Sequence, residues 1–369
     1  MKAIGKPVFL TYSFPKKMSA EDRKAWPADI PNWRQFSQTD IKEAKAALKQ
    51  WGKASGVTFL EAKPGNGDIQ FSWIPSSSSG FSYQPSQYAF SPDSPEEFSY
   101  FAEYSGNVYL NTAYTDYFER EPNFKKYILL HEIGHALGLK HPFDISDYNQ
   151  RILSSKYNSV KYTVMAYTNG EKPPLTLGPI DKAAIKKLYG SPSADGKQVA
   201  KWSWNAKKET LTQFGKVGND VILGTRTTDI MHGEDGDDRL QGFHGNDKLA
   251  GGYGNDVLIG GPGRDTFVFD TQPADDTNVD RIVDYDVDGA QDKIVLSSAI
   301  FSEAGPVGQL SEAVFVISSG PKNTASRIIF DYGYSNALYY DPDGTGARPQ
   351  IKFATLNYTA LNASDFLII

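Results

Sequence analysis

Residues 233–267 read GEDGDDRLQGFHGNDKLAGGYGNDVLIGGPGRDTF, and aspartate returns in them every nine positions, at Asp238, Asp247, Asp256 and Asp265. The register extends back through Asp229 to Asp220 without a slip. Two positions after each aspartate stands an apolar residue: Ile222, Met231, Leu240, Leu249, Leu258 and Phe267. A short fixed period describes one small unit stacked on copies of itself, each burying the apolar residue of its neighbour. Residues 213–270 hold 13 glycines and 9 aspartates. Glycine allows left-handed turns that aim carbonyls inward, and aspartate adds a hard, charged oxygen, a combination suited to calcium. The strict apolar spacing distinguishes this stretch from a flexible acidic linker.

The charge of the whole chain is consistent with a boundary near these repeats. Residues 1–212 carry 27 Lys and Arg against 21 Asp and Glu, whereas residues 213–369 carry 11 against 23. Bulk charge therefore gives the second half no attraction to nucleic acid, and its carboxylates need water or cations. Overall composition, 40% hydrophobic and 22% charged over 369 residues, is that of a globular chain long enough for two or three domains. There is no run of 18 apolar residues, so membrane insertion is not expected, and the start MKAIGKPVFLTYSF does not read as a secretory signal. With no cysteine, disulfides, thiolate metal sites and cysteine nucleophiles are excluded.

Residues before the repeats read as mixed α and β. Strands are expected at Val8–Phe14, Val57–Leu60, Ile69–Ile74 and, in an edge position, Asn107–Leu110. A helix is expected from Asp40, with Asp40 and Glu43 as N-cap and partner and Ile41, Ala44, Leu48 and Trp51 on its apolar face. Further helices are expected over Asn123–Leu137 and Asp181–Leu188. The Ser/Pro/Tyr-rich stretch Ser82–Phe101 yields no assignment, and residues 191–212 read as a linker or a short capping segment.

The chemistry is carried by His131-Glu-Ile-Gly-His135-Ala-Leu-Gly138-Leu-Lys-His141. Histidines four apart share one helix face, so His131 and His135 can reach one metal. His141 lies too far on to share that face, but a left-handed turn at Gly138 would bring it back. Three protein ligands leave zinc one open position for water, the mark of a catalytic site. Glu132 adjoins the first ligand and would act as general base on that zinc-activated water. His232 and His244, in the repeats, read as exposed loop histidines.

HEIGHALGLKH resembles the extended zinc motif of the metzincin metalloproteases, and within them it is similar to that of the serralysins. Val164-Met165-Ala166-Tyr167 matches the family's methionine turn. The resemblance implies that Met165 forms the floor beneath the zinc, and that Tyr167 ligates zinc at rest and then swings away to stabilise the oxyanion. Gly178–Gly190 resembles the helix after that turn, and Asn107–Asn111 lies where such proteases bind an extended peptide at a sheet edge. Phe143 departs from the pattern, since serralysins usually carry glycine there, and so does Ala166, which replaces the usual serine.

The repeats resemble the nonapeptides of RTX proteins. That resemblance implies two repeats per turn of a β-roll, so that Asp238 pairs with the loop of Asp256 and Asp247 with that of Asp265. It adds carbonyl ligands from Gly236, Gly245, Gly252, Gly254, Gly261 and Gly263. The second repeat, Gly224 to Asp229, lacks the inner glycine. Asp280, Asp284, Asp286 and Asp292 fit either a further calcium site or a solvated acidic loop. Asp365-Phe-Leu-Ile-Ile369 resembles the ending of substrates of bacterial type I secretion, with a buried final strand as the alternative.

The expectation is an α+β metzincin-like zinc peptidase domain over 1–190, a linker over 191–212, and an all-β parallel roll and sheet with a secretion signal over 213–369. One catalytic zinc and several structural calcium ions are expected. So are polypeptide substrates, type I secretion, a proteinaceous inhibitor as a candidate partner, a monomeric state and an extracellular location. Two alternatives are a secreted toxin acting on one protein target and a non-catalytic binding module with an idle metal site.

Overall fold

The computed structural model describes residues 9–25, 32–76, 78–82, 106–145, 151–168, 170–191 and 199–369 apart from 275, 287, 334, 358 and 359. The chain divides into two compact units, Met1–Asp195 and Gly196–Ile369. Val8, nearly all of the stretch Ser82–Phe101, and residues 192–198 of the expected linker lie outside the described residues.

In the first unit the strands are β1 (Phe9–Ser13), β2 (Arg34–Gln35), β3 (Thr58–Glu61), β4 (Ile69–Ile74), β5 (Gly80–Ser82) and β6 (Val108–Asn111). The helices are α1 (Ala20–Ala25), α2 (Gln38–Ala54), α3 (Thr115–Arg120), α4 (Pro122–Ala136) and α5 (Pro179–Tyr189). The sheet order is β3-β1-β4-β6-β5, with β2 also paired to β4. Strands β1, β3, β4 and β6 run parallel, and β5 pairs antiparallel to β6. Apolar residues of α2 and α4 pack with those of the sheet in one core, where Trp51, Phe71, Leu129 and Ile133 are fully buried.

The N-cap of α2 lies three residues before the expected one. Ser37 is the N-cap: its hydroxyl accepts the Asp40 amide, while the Asp40 carboxylate accepts the Ser37 amide. Asp40 is thus the reciprocal partner at the third helical position, and Glu43 plays no part in the cap. Both carboxylates instead meet Lys125 of α4, each at 2.8 Å. Trp51 Nε1 also donates to the Leu130 carbonyl at 3.1 Å, a second tie between α2 and α4.

The edge expected at Asn107–Leu110 is corrected. Strand β6 is interior, flanked by β4 and β5, and among the described residues the outer strand on that side is β5. The sequence conceals this because the Ser/Gly run before Ser82 has no apolar alternation, and its pairing with β6 is a long-range contact.

The second unit consists of β7 (Lys201–Asn205), β8 (Thr210–Phe214), β9 (Val221–Leu223), β10 (Thr228–Asp235), β11 (Arg239–Gln241), β12 (Lys248–Tyr253), β13 (Val257–Ile259) and β14 (Thr266–Phe269). It continues through β15 (Asp280–Ile282), β16 (Lys293–Leu296), β17 (Gly308–Gln309), β18 (Phe315–Ile317), β19 (Ile328–Asp331), β20 (Ala337–Tyr340), β21 (Ile351–Leu356) and β22 (Phe366–Ile368). Two eight-stranded sheets result, ordered β17-β22-β16-β14-β12-β10-β8-β7 and β18-β19-β20-β21-β15-β13-β11-β9.

Repeat strands alternate between the sheets and pair in parallel at an offset of eighteen, as in Leu240↔Leu258 and Leu249↔Phe267. All six periodic apolar residues are 0% exposed, so each contributes about 1.5–3 kcal/mol relative to exposure.

Of the two readings of residues 191–212, capping is what the described part shows. Residues 201–214 form the β7–β8 hairpin, and β8 pairs with β10 at the end of the roll. His232 is no exposed loop histidine. It lies half-buried on β10 with its ring stacked on Phe214 at 4.5 Å, and burial pushes its pKa down. His244 is half-buried as well. The terminal segment forms a strand, with Phe366 and Ile368 buried against the roll core.

Candidate metal centre and calcium roll

Helix α4 carries His131, Glu132 and His135, and ends where Gly138 takes φ +90°. A side chain with a Cβ rarely adopts that angle. The Leu139 amide then donates back to the Gly134 carbonyl at 2.9 Å, which turns the chain toward the histidines. His131, His135 and His141 are thereby brought together, with their Nε2 atoms 3.1 Å apart in every pair.

Each Nδ1 faces an acceptor: the Val164 carbonyl at 2.7 Å, the Leu139 carbonyl at 2.8 Å and the Asp144 carboxylate at 2.6 Å. Those oxygens can only accept, so each Nδ1 holds the proton and all three Nε2 lone pairs converge. Three lone pairs at that separation repel one another unless a cation sits among them. A tetrahedral zinc with bonds of about 2.0 Å sets its ligand nitrogens about 3.3 Å apart, so the triangle fits. Burial, together with the neighbouring histidine, drives the His131 pKa down to about 3, and burial takes His135 down to about 4, which keeps both rings neutral as ligands.

Glu132 is 4% exposed, and burial pushes its carboxyl up to about 8. A bound divalent cation would favour the ionised form and bring that value down. Strand β5 approaches this face of α4 closely. A Cβ on Gly80 would lie 2.8 Å from Ile128 Cγ2 and 3.2 Å from Glu132 Cγ, so only glycine lets the sheet edge reach the helix. Residues 78–82, the α4 face from Phe124 to His135, and Tyr167 line a cleft of about 590 Å³.

Met165 is buried under α4, where a Cβ on Gly134 would fall 2.5 Å from its sulfur. The turn is fixed from below by Asp181, which accepts from Thr163 Oγ1 at 2.5 Å and the Val164 amide at 2.8 Å. The Val164 carbonyl in turn orients His131. Tyr167 is half exposed, its ring 4.9 Å from that of His141. Phe143 lies parallel to His141 at 5.1 Å and 5.2 Å from Tyr167, and so fills the place where the family usually has glycine. Sequence reasoning missed Asp144, Asp181 and Gly80. Asp144 stands three residues after His141, and an acid there was the only local signal.

In the roll, Asp238, Asp247, Asp256 and Asp265 are at most 2% exposed. The Oδ1 atoms of Asp256 and Asp265 accept the amides of Asp238 and Asp247, at 2.7 and 2.8 Å, so the loops eighteen apart are joined as expected. The Oδ2 of all four is buried without a hydrogen-bond partner. Four buried carboxylate oxygens lacking donors are what a cation-binding stack requires.

Gly236, Gly245, Gly252, Gly254, Gly261 and Gly263 all take positive φ, and a Cβ on Gly263 would collide with the Gly245 carbonyl at 1.5 Å. In the second repeat, the Thr225 amide and hydroxyl occupy Asp229 Oδ2 at 2.8 and 3.2 Å, so protein donors stand where the four later loops leave oxygen bare. Asp280, Asp284 and Asp292 are buried rather than solvated, and they accept the amides of Asp256, Gly260 and Asp265. They extend the stack past the last regular repeat.

Comparison with known proteins follows the same division. Residues 29–190 match the matrixin family of peptidases, and residues 214–242 and 241–271 match the RTX calcium-binding nonapeptide repeat. Serralysin G of Dickeya chrysanthemi is 30% identical over 210 residues, covering 52% of this chain and 41% of that protein. Serralysin B of the same organism is 31% identical, covering 51% and 40%. Metallopeptidase AprA of Pseudomonas marginalis is 28% identical, covering 60% and 46%. The chain spans under half the length of these relatives. The matrixin and serralysin families use a catalytic zinc, and RTX repeats bind calcium. The chain thus carries a matrixin-family peptidase domain followed by RTX calcium-binding repeats, the order in which its sequence divides, and is similar to proteins named serralysin.

Proposed function

We propose that the chain is a secreted zinc endopeptidase that hydrolyses internal bonds of extended polypeptides. The supporting observation is the set of three converging Nε2 atoms beside a buried glutamate, in a cleft walled by the outer strand β5. His131, His135 and His141 would hold zinc, which when bound supplies a Lewis acid for the scissile carbonyl and for the attacking water.

The substrate backbone would pair along β5, the outermost strand among the described residues on that side of the sheet and part of the cleft wall. Glu132 takes the proton of the attacking water and returns it to the departing amine nitrogen. Tyr167 would ligate zinc at rest and, from its half-exposed position, donate its phenol hydrogen to the developing oxyanion. Met165 supports the histidines from below.

Calcium at Asp238, Asp247, Asp256 and Asp265 would stabilise the roll. Export by a type I system, an extracellular location and a monomeric state belong to the same reading. No helix among the described residues is long and apolar enough to cross a membrane.

The test is cleavage of unfolded casein by the full chain and by Glu132→Gln. The wild type should cut at many positions, and the variant should retain zinc yet lose about 10²–10⁴-fold in rate. Equal rates, or a wild type inert toward every polypeptide while zinc-loaded, would overturn the proposal.

A further inference from the structure

The first unit has a second concavity, of about 670 Å³, lined by residues 15–20, Arg23, residues 64–66 and Gln70. Its volume lies within the 300–1,000 Å³ of ordinary ligand pockets. Lys16, Lys17 and Arg23 line it, and no carboxylate does. All three are exposed, and none forms an ion pair with a carboxylate among the described residues.

Two carboxylates of the flanking segments, those of Asp22 and Asp68, are engaged with other partners. Asp22 accepts the Tyr109 hydroxyl at 2.7 Å, and Asp68 accepts the Thr11 amide and hydroxyl at 2.6 Å. Three like charges around one concavity raise a positive potential there. Pro15, Met18 and Pro64 add apolar wall, which suits the stems and backbone of a peptide better than a bare inorganic anion.

The bowl is also joined to the histidine cleft. Met18, in its wall, packs in one cluster with Tyr109 and Phe81, and Phe81 belongs to the edge strand that lines the cleft.

We infer that this basic bowl is a docking site for an acidic stretch of a polypeptide substrate, remote from the bond that is cut. The inference rests on the peptidase reading for its purpose, but not for its measurement. Binding is read on the full-length Glu132→Gln chain with zinc and calcium present, so it does not depend on catalysis.

The probe is a fluorescein-labelled hexapeptide carrying four glutamates, with its glutamine counterpart as control, followed by fluorescence polarisation. The glutamate peptide should bind at least 10-fold tighter than the control. Lys16→Glu/Lys17→Glu should abolish that difference, as should Lys16→Ala/Lys17→Ala, whose folding is checked by circular dichroism. Raising salt from 50 to 500 mM should weaken binding strongly. Equal affinity for the two peptides, an unchanged preference in the folded alanine variant, or capture of phosphatidylserine vesicles without peptide binding would overturn it. If the preference holds but casein stays intact, the peptidase reading fails alone.

Discussion

Removing calcium from the full chain at pH 8 should unfold the roll, and lowering the pH toward 4 without calcium should fold it again. Asp265 is 1% exposed, and burial, with Asp292, Asp284 and Asp288 nearby, raises its carboxyl from 3.8 to about 8. Asp238 is raised by burial to about 7, and Asp247 and Asp280 are held well above the usual range by burial and by neighbouring aspartates. A carboxyl whose folded value exceeds its unfolded one contributes stability that is complete below pH 3.8 and is lost as pH passes the folded value. For Asp265 alone, about four pH units correspond to on the order of 5 kcal/mol. A whole domain typically has about 5–15 kcal/mol, so several such groups outweigh it.

Calcium substitutes for the protons. It binds the ionised carboxylates, so its uptake releases protons and its apparent affinity falls in acid. Hydrogen–deuterium exchange of amides in residues 215–270 of the full chain, corrected for intrinsic rates, provides the assay. Protection is expected at pH 4.5 in chelator, loss of it at pH 8, and recovery on adding millimolar calcium. Equal protection at both pH values without calcium, or opening in acid, would refute the reasoning.

Two other substitutions probe the metal centre. Asp144→Ala removes the acceptor that orients His141 and should weaken zinc binding about 10–100-fold in competition with a chelator. Gly134→Ala would place a methyl group 2.5 Å from the Met165 sulfur and should cost about 1–3 kcal/mol, read as a lowered midpoint in thermal unfolding.

Legibility in the sequence followed the range of the interactions. The histidine motif could be read because two ligands share one helix face and a single glycine returns the third, all within eleven residues. The roll could be read because each nonapeptide repeats the same local geometry and the same partner offset. The edge strand β5 could not, because Gly80 is selected by a helix some fifty residues later in the chain. Lys125, Asp40 and Glu43 were illegible for the same reason, their pairing being visible only once α2 lies on α4. The β7–β8 hairpin was hidden by its setting. Trp202 and Trp204 do alternate with polar residues, but the preceding Ser, Pro and Gly read as linker.

The central claim is a single zinc held by three imidazoles, and X-ray absorption at the zinc edge on the purified full chain tests it most directly. A shell containing three imidazole nitrogens at about 2.0–2.1 Å is expected, falling to two in His141→Ala. A wild-type shell that His141→Ala leaves unchanged, or one with fewer than three imidazoles, would contradict it.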